Sequence, residues 1–141
     1  MTDADLTDRA IFRFWSREVC RYGDTDRQGH VNNAAFATFC ETGRVLFLYP
    51  DDEPLAPPGC AFVIARLELD FRAELRWRDV VEIGTVVLAL GRASFTLGQG
   101  LFAGNACVAT ARSVLVLMDE ATRRAASLPE DLRTRLLAPL R

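Results

Sequence analysis

The chain contains no lysine, and all 17 of its basic residues are arginines. This absence excludes a lysine that forms a Schiff base with a substrate and a lysine of the P-loop type. Histidine is almost absent too, because His30 is the only one in 141 residues. One histidine, with four cysteines that form no Cys-x-x-Cys pair, argues against a protein-bound transition metal and against a Ser-His-Asp triad.

A dominant charge and long apolar segments are also missing. The net charge is −2, which gives no electrostatic reason to expect a nucleic acid or an anionic membrane as a partner. No apolar stretch approaches the roughly 18 residues that a membrane-spanning helix needs. The acidic start, MTDADLTDRA, lacks the basic and apolar parts of a signal peptide. We therefore expect a cytoplasmic protein with no membrane partner, whose cysteines are reduced thiols.

Length and composition fit one globular domain. The 141 residues are 50% hydrophobic and 26% charged, so the chain can bury a core of its own. We interpret residues 1–141 as a single domain in which residues 1–10 form a flexible N-terminal extension.

One long helix is predicted after the segment DTDRQGHVNN, residues 24–33. In the following NNAAFATFCETGRVLFLY, apolar or small residues recur every three or four positions, as in a helix with one buried face. These residues are Phe36, Phe39, Cys40, Gly43 and Phe47. Asn32 or Asn33 is a natural N-cap, and the prolines of YPDDEPLAPPG end the helix.

Most of the remaining chain has the period of two that is typical of strands. An amphipathic strand is expected between Ile11 and Tyr22, and four more are expected over 61–71, 80–90, 93–102 and 106–118. Over 61–71 the alternation predicts one shared face for Ala61, Val63, Ala65, Leu67, Leu69 and Phe71. The segment SLPEDLRTRLLAPL predicts a short C-terminal helix with a stripe of Leu132, Leu136 and Leu137.

This order of elements predicts an α+β fold. Consecutive strands joined by short turns favour an antiparallel sheet, and a single long helix must bury its stripe against one face. One helix covers only part of such a sheet. The apolar surface that remains favours self-association of the chain.

The segment DTDRQGHVNN carries more chemistry than a turn requires. It places Asp26 just before a helix N-terminus, where unpaired backbone N–H groups can stabilise negative charge on a carbonyl oxygen. Asp26 is then suited to attack the carbonyl carbon or to activate a water molecule. The structural alternative is a turn with solvated acids, an asparagine as the helix cap, and His30 packed on the loop.

The stretch YGDTDRQGHVNNAAFATFCETGR resembles the signature of hotdog-fold acyl-CoA thioesterases of the 4-hydroxybenzoyl-CoA thioesterase type. Members carry Tyr/Phe-x-Asp-x-Asp-x-x-Gly-(His)-Val-x-(Asn) before a long central helix. The GRAS turn and the ending LMDEATRRAASLPEDLR extend the resemblance to residues 12–135. The resemblance implies a sheet of about five antiparallel strands wrapped around that helix. It also implies a homodimer or homotetramer with active sites at the subunit interface. The implied reaction is hydrolysis of a thioester of coenzyme A or of an acyl-carrier protein.

The resemblance also implies roles for individual residues. Asp26 matches the catalytic carboxylate, and Asn33 matches the helix-start position whose backbone N–H polarises the thioester carbonyl. His30 is assigned to the site as well. The expected substrate-binding positions are Gly29, Val31, Asn32, Phe36, Glu41 and Arg92. Arg66, Arg72 and Arg112 are further candidates beside Arg92 for binding the phosphates of coenzyme A. Coenzyme A enters as part of the substrate, so neither a cofactor nor a metal is expected.

Two alternatives to hydrolysis fit the sequence less well. A hotdog hydratase uses an Asp and a His at a characteristic spacing with an intervening Asn-Pro, and this chain has no such segment. A non-catalytic protein that binds acyl groups or coenzyme A would keep the fold without needing Asp26. The role of Asp26 as nucleophile or as general base also stays open, because both roles need the same residue in nearly the same place.

Overall fold

The computed structural model describes residues 4–138. In chain order its elements are strand β1 (Phe14–Val19), helix α1 (Asn33–Leu48), strands β2 (Cys60–Phe71), β3 (Val80–Leu90), β4 (Ser94–Ala103), β5 (Ala106–Asp119) and β6 (Arg124–Ala125), and helix α2 (Glu130–Leu136). The main sheet has the order β1-β3-β4-β5-β2 with antiparallel neighbours, and the two-residue β6 pairs with the end of β5. One long helix against a five-stranded antiparallel sheet confirms the predicted hotdog fold.

Helix α1 lies where the apolar stripe predicted it. Asn32 is its N-cap, and the stripe from Phe36 to Phe47 is buried against the sheet. The stripe enters two core clusters: Phe36, Phe39 and Cys40 lie in one, and Phe47 in the other. The N-terminal half of the helix is thereby fixed over the sheet, which fixes the position of its first N–H groups.

The single shared face predicted for the alternate residues of β2 is found only in the second half of the strand, from Leu67 to Phe71. The register against β5 shifts between Ile64 and Arg66, which is a β-bulge at Ala65. After the bulge Leu67 pairs with Ser113 of β5, and before it Ile64 pairs with Leu115. Ser113 and Leu115 are two residues apart on β5, so Ile64, and likewise Phe62, lies on the same face as Leu67. Ala61 and Val63 therefore lie on the opposite face from Leu67. An inserted residue reverses an alternation of period two, and this reversal decides which side chains reach the core.

The N-terminal segment covers the face of the sheet that α1 does not cover. Leu6 and Phe12 are buried in a cluster with Phe102, although Leu6 lies inside the segment that was expected to be a flexible extension. Gly84 and Gly98 leave the space that Phe12 and Leu6 occupy, because a β-carbon at either glycine would overlap them. From Ala4 onward this segment therefore packs as part of the domain.

Helix α2 buries two of the three leucines predicted for its stripe. Leu132 and Leu136 are 2% exposed, whereas Leu137 is 59% exposed and lies beyond the end of the helix. The predicted stripe is wrong at Leu137 because the helix stops one residue earlier. No helix within residues 4–138 is long and apolar enough to cross a membrane.

Candidate active site

The loop before α1 closes on itself through backbone hydrogen bonds. The amide of Asp26 donates to the carbonyl of His30 at 2.8 Å, and Thr25 and Val31 form an isolated β-bridge. Gly29 has φ of 81°, a left-handed conformation that a glycine adopts without steric cost. The turn therefore needs a glycine at this position, and it brings residues 26 and 30 face to face.

The carboxylate of Asp26 is oriented by the same loop. Its Oδ1 accepts from the backbone amides of Gln28 at 2.8 Å and His30 at 3.2 Å. Among the residues described, no donor is hydrogen-bonded to Oδ2. One oxygen thus fixes the rotamer while the other is available for a substrate or a water molecule.

The N-terminus of α1 supplies a hydrogen-bond donor on the same side of the loop as the Asp26 carboxylate. The side chain of Asn32 caps the helix by accepting from the amide of Ala34 at 2.9 Å. Asn33 is the first helical residue, so its N–H has no acceptor within the helix and lies at the positive end of the helix dipole. Such an N–H can donate to a carbonyl oxygen on which charge develops.

Asp26 and Asn33 line one open cavity of about 480 Å³ at this end of the sheet. Its walls come from the loop, from the start of α1, and from the segment that follows β2. The lining residues are Asp26, Gln28, His30, Val31, Asn33, Phe36, Phe71, Arg72, Ala73 and Glu74. Five of the predicted site residues thus meet here, with Gly29 and Asn32 adjacent to them in the loop.

Two predicted substrate-binding residues lie elsewhere. Glu41 lines a separate groove between α1 and β2. Arg92 lies in the turn between β3 and β4, where its guanidinium donates to the hydroxyl of Ser127 at 2.7 Å. Neither lines the cavity of Asp26.

Asp24 is the structural acid of the loop. It is 8% exposed, and both of its carboxylate oxygens accept hydrogen bonds from Arg21 at 2.9 Å. The side-chain hydrogen bond from Arg21 is the main reason why the pKa of Asp24 lies below its ordinary value. The amide of Asn32 in turn donates to the carbonyl of Asp24 at 2.7 Å, so this acid anchors the entry to the helix.

Glu74 is a cavity residue that sequence reasoning did not identify. Its Oε2 lies 3.2 Å from Nε2 of His30 and 3.5 Å from the guanidinium of Arg76. The backbones of His30 and Arg76 also form an isolated β-bridge. Glu74 stands 44 positions after His30 in a segment without a motif, so no local signal could have linked the two.

The walls of the cavity combine apolar and cationic groups. The rings of Phe36 and Phe71 meet edge to face with centroids 5.2 Å apart. Arg72 lies beside Phe71 in the lining. This arrangement suits a substrate that has an apolar portion and an anionic portion.

Comparison with known proteins places these features in a family. A family model described as the thioesterase-like superfamily matches residues 20–136. The chain is 26% identical over 115 residues to the acyl-CoA thioester hydrolase YbgC of Escherichia coli O6:H1, covering 79% of this chain and 86% of that protein. It is 27% identical over 127 residues to the 1,4-dihydroxy-2-naphthoyl-CoA hydrolase of Synechococcus elongatus, covering 83% of this chain and 90% of that protein.

A solved structure agrees with both relatives. A thioesterase of Thermus thermophilus, complexed with coenzyme A and zinc, superposes with a TM-score of 0.77 at 33% identity. The superposition covers 90% of this chain and 99% of that chain. The likeness therefore extends over the whole fold, beyond the loop that carries the motif.

Proposed function

The chain belongs to the thioesterase-like superfamily, and on that premise we propose that it hydrolyses an acyl thioester to a free carboxylic acid and a thiol. The observation that carries this proposal is the meeting of the Asp26 carboxylate and the backbone N–H of Asn33 in one cavity. The first is a base or nucleophile, and the second is a donor for the carbonyl oxygen. Together they form an acyl-transfer site that needs no metal, cofactor or serine nucleophile.

The proposed reaction begins with the thioester carbonyl hydrogen-bonded to the N–H of Asn33. With Asp26 as general base, its free Oδ2 takes a proton from water, the hydroxide adds to the carbonyl carbon, and the carbon–sulfur bond breaks. With Asp26 as nucleophile, Oδ2 adds to that carbon directly, and water then hydrolyses the resulting anhydride. In both routes the thiolate leaves and takes up a proton, so one water yields one acid and one thiol.

Coenzyme A is the thiol that we favour. The two relatives named above act on coenzyme A thioesters, and the Thermus structure contains coenzyme A. In this chain Arg72 at the cavity is placed to meet an anionic group of such a substrate, while the Phe36 and Phe71 rings suit an apolar acyl group. An acyl-carrier protein remains the alternative thiol carrier in this proposal, and the expected cytoplasmic location stays a prediction.

The test is thiol release from a panel of acyl-CoA thioesters with short, long, branched and aromatic acyl groups. We expect at least one member to be cleaved, and we expect Asp26→Asn to lower kcat by about 10²–10⁴ without loss of substrate binding. Asp131→Asn is the matched control, because Asp131 is exposed on α2 and does not line the cavity. Binding of acyl-CoA without cleavage by the wild type would favour the non-catalytic alternative, and full activity of Asp26→Asn would contradict the mechanism.

We also propose that the protein is a homo-oligomer joined along β2. Within the described residues, the outer edge of this 12-residue strand has no partner, and Ile64, Leu67 and Phe71 are 39–49% exposed along it. Beside it, in the groove that Glu41 lines, Arg44 is buried with no acceptor for its Nη1 among those residues. A second copy paired at this edge would cover the apolar side chains and bring new acceptors to Arg44.

Sedimentation tests this assembly. We expect wild-type protein to sediment as a dimer or tetramer, and Ile64→Lys to shift it toward the monomer. Val19→Lys on β1 is the control, because Val19 is equally apolar and 59% exposed at the other edge of the sheet. A monomeric wild type, or equal dissociation of both variants, would contradict an interface at β2.

A further inference from the structure

A chain of contacts runs from Glu74 through His30 to Asp26. The carboxylate of Glu74 lies 3.2 Å from Nε2 of His30. The amide of His30 donates to Oδ1 of Asp26 at 3.2 Å, and its carbonyl accepts from the amide of Asp26 at 2.8 Å. His30 therefore contacts the carboxylate of the proposed reaction through its backbone and contacts Glu74 through its ring.

We propose that Glu74 is a positioning residue that holds the Asp26 carboxylate in its reactive orientation by fixing His30. The inference rests on the proposed function, since it concerns the carboxylate assigned to the reaction there. Glu74 belongs to the segment after β2, whereas Asp26 and His30 belong to the loop before α1. The contact thus ties two separate walls of the same cavity together.

The geometry explains why such a tie matters. Within residues 4–138, Oδ1 of Asp26 accepts hydrogen bonds from two amides of its own loop and from no other group, those amides being of Gln28 and His30. A rotation of the loop at His30 would carry Oδ1 with it and turn Oδ2 away from the carbonyl site at Asn33. The backbone bridge between His30 and Arg76 and the hydrogen bond from the amide of Val31 to the carbonyl of Leu75 hold the base of the loop. The contact with Glu74 holds the same loop through the imidazole ring of His30.

The same contact contributes little to folding. The side chains of His30 and Glu74 are 26% and 59% exposed, and Glu74 also contacts the exposed Arg76. Side-chain contacts at this level of exposure contribute little to stability. Displacement of a reacting group by about 1 Å, in contrast, can lower a rate by about 10²-fold. A change at Glu74 should therefore affect the rate far more than the stability.

Kinetics of Glu74→Ala and Glu74→Gln provide the first test. We expect Glu74→Ala to lower kcat by about 10- to 100-fold with KM unchanged. Glu74→Gln should recover most of kcat, because its amide oxygen can take the place of Oε2 beside Nε2 of His30. Arg76→Ala is the control: it removes the other contact of the same carboxylate and should leave kcat as in the wild type. An unchanged kcat in Glu74→Ala, a change in KM alone, or equal losses in Glu74→Ala and Arg76→Ala would overturn the inference.

Nuclear magnetic resonance of the imidazole ring provides a second test that does not depend on activity. Because His30 is the only histidine, its ring nitrogens give a single pair of signals. We expect the wild type and Arg76→Ala to show the proton on Nε2, and Glu74→Ala to lose that pattern. Identical ring signals in the wild type and Glu74→Ala would show that Glu74 does not fix the ring, and would overturn the inference.

The outcomes separate this inference from the proposed function. A wild type that cleaves no member of the acyl-CoA panel contradicts both. A wild type that is active and depends on Asp26, together with a fully active Glu74→Ala, contradicts the positioning role alone.

Discussion

The side-chain amide nitrogen of Gln99 lies 2.9 Å from the position that a β-carbon on Gly43 would occupy. Gln99 is fully buried on β4, and this nitrogen donates to the carbonyl of Cys40 in α1 at 3.0 Å and to the hydroxyl of Thr85 at 3.1 Å. Gly43 therefore lets α1 approach the sheet closely enough for a side chain of the sheet to hydrogen-bond with the helix backbone. This approach sets the position of the helix whose first N–H groups line the cavity.

Gly43→Ala should destabilise the protein. In an exposed helix the change would add stability of up to about 1 kcal/mol, but here the new methyl group meets Gln99 and Ile83 within 3.0 Å. Overpacking of this kind costs about 1–3 kcal/mol, measured as the free energy of unfolding in urea. Gly23→Ala is the control, because no atom lies within 4 Å of the β-carbon that it would add. Equal stability of Gly43→Ala and the wild type would show that the helix can move away at no cost.

Asn33→Pro should remove the proposed carbonyl donor without breaking the helix. Proline is tolerated at the first helical position, and Asn32 has φ −63° and ψ 144°, which a residue before proline readily adopts. We expect kcat to fall by about 10²–10³-fold, with the circular dichroism spectrum unchanged.

The control for that substitution is Asn33→Ala, which removes the side chain and keeps the N–H. It should retain most of the activity. If Asn33→Ala and Asn33→Pro lose the same activity, the side chain and not the backbone is the important group.

Asp24→Asn should make the protein less stable at neutral pH and close to the wild type in acid. Hydrogen bonds from Arg21 lower the pKa of Asp24 in the folded state. A carboxyl whose folded pKa is depressed contributes stability above its unfolded pKa, about 3.9, and this contribution is lost as the pH falls through the folded pKa. Urea unfolding at pH 7 and below pH 4 should therefore show a difference that shrinks with acidification.

Arg21→Ala should produce a similar but smaller pH dependence, because it removes the side-chain hydrogen bond that is the main cause of the lowered pKa of Asp24 and keeps the one from the backbone amide. The double variant should then be no less stable than Asp24→Asn alone. A difference between wild type and Asp24→Asn that is constant over this range of pH would argue against an ionised, paired Asp24.

Cys20 and Cys40 should resist thiol reagents in the native protein. Burial raises the pKa of each thiol to about 11, and both side chains are buried. At pH 8 they remain protonated and covered, so Ellman's reagent should label them only after addition of denaturant. Mass spectrometry of the labelled protein locates the reacting thiols, and rapid native labelling of Cys40 would contradict the packing of α1. The same measurement also gives the signal that the protein's own thiols contribute when Ellman's reagent is used to follow thiol release.

Local signals predicted the parts of the site that lie close together in the sequence. The loop from Asp24 to Asn33 contains its own glycine, its own helix cap and the carboxylate, so the arrangement of Asp26 near a helix start follows from a short stretch of chain. The apolar stripe from Phe36 to Phe47 likewise predicted the buried face of α1. In both cases the interactions that decide the structure join residues that are near neighbours.

Long-range contacts decided the features that sequence reasoning missed. The bulge at Ala65 arises where β2 pairs with β5, about 50 residues later in the chain, and it reverses the face predicted for Ala61 and Val63. Arg92 was expected at the substrate, but the path of the β3–β4 hairpin places it beside Ser127. The pairing partners of a strand are distant in sequence, so an alternation pattern alone cannot locate a register shift.

The sequence by itself determined the family, the order of elements, and the pairing of a carboxylate with a helix N-terminus, since each depends on periodicity, caps or a contiguous motif. The tertiary structure alone decided that Glu74 meets His30 and that Gln99 holds α1 against the sheet. It also decided that the apolar outer edge of β2 has no partner strand among the residues the structure describes. The physical reason is that these contacts depend on how separate segments approach one another. The wrapping of the sheet around the helix sets that approach, and no single segment encodes it.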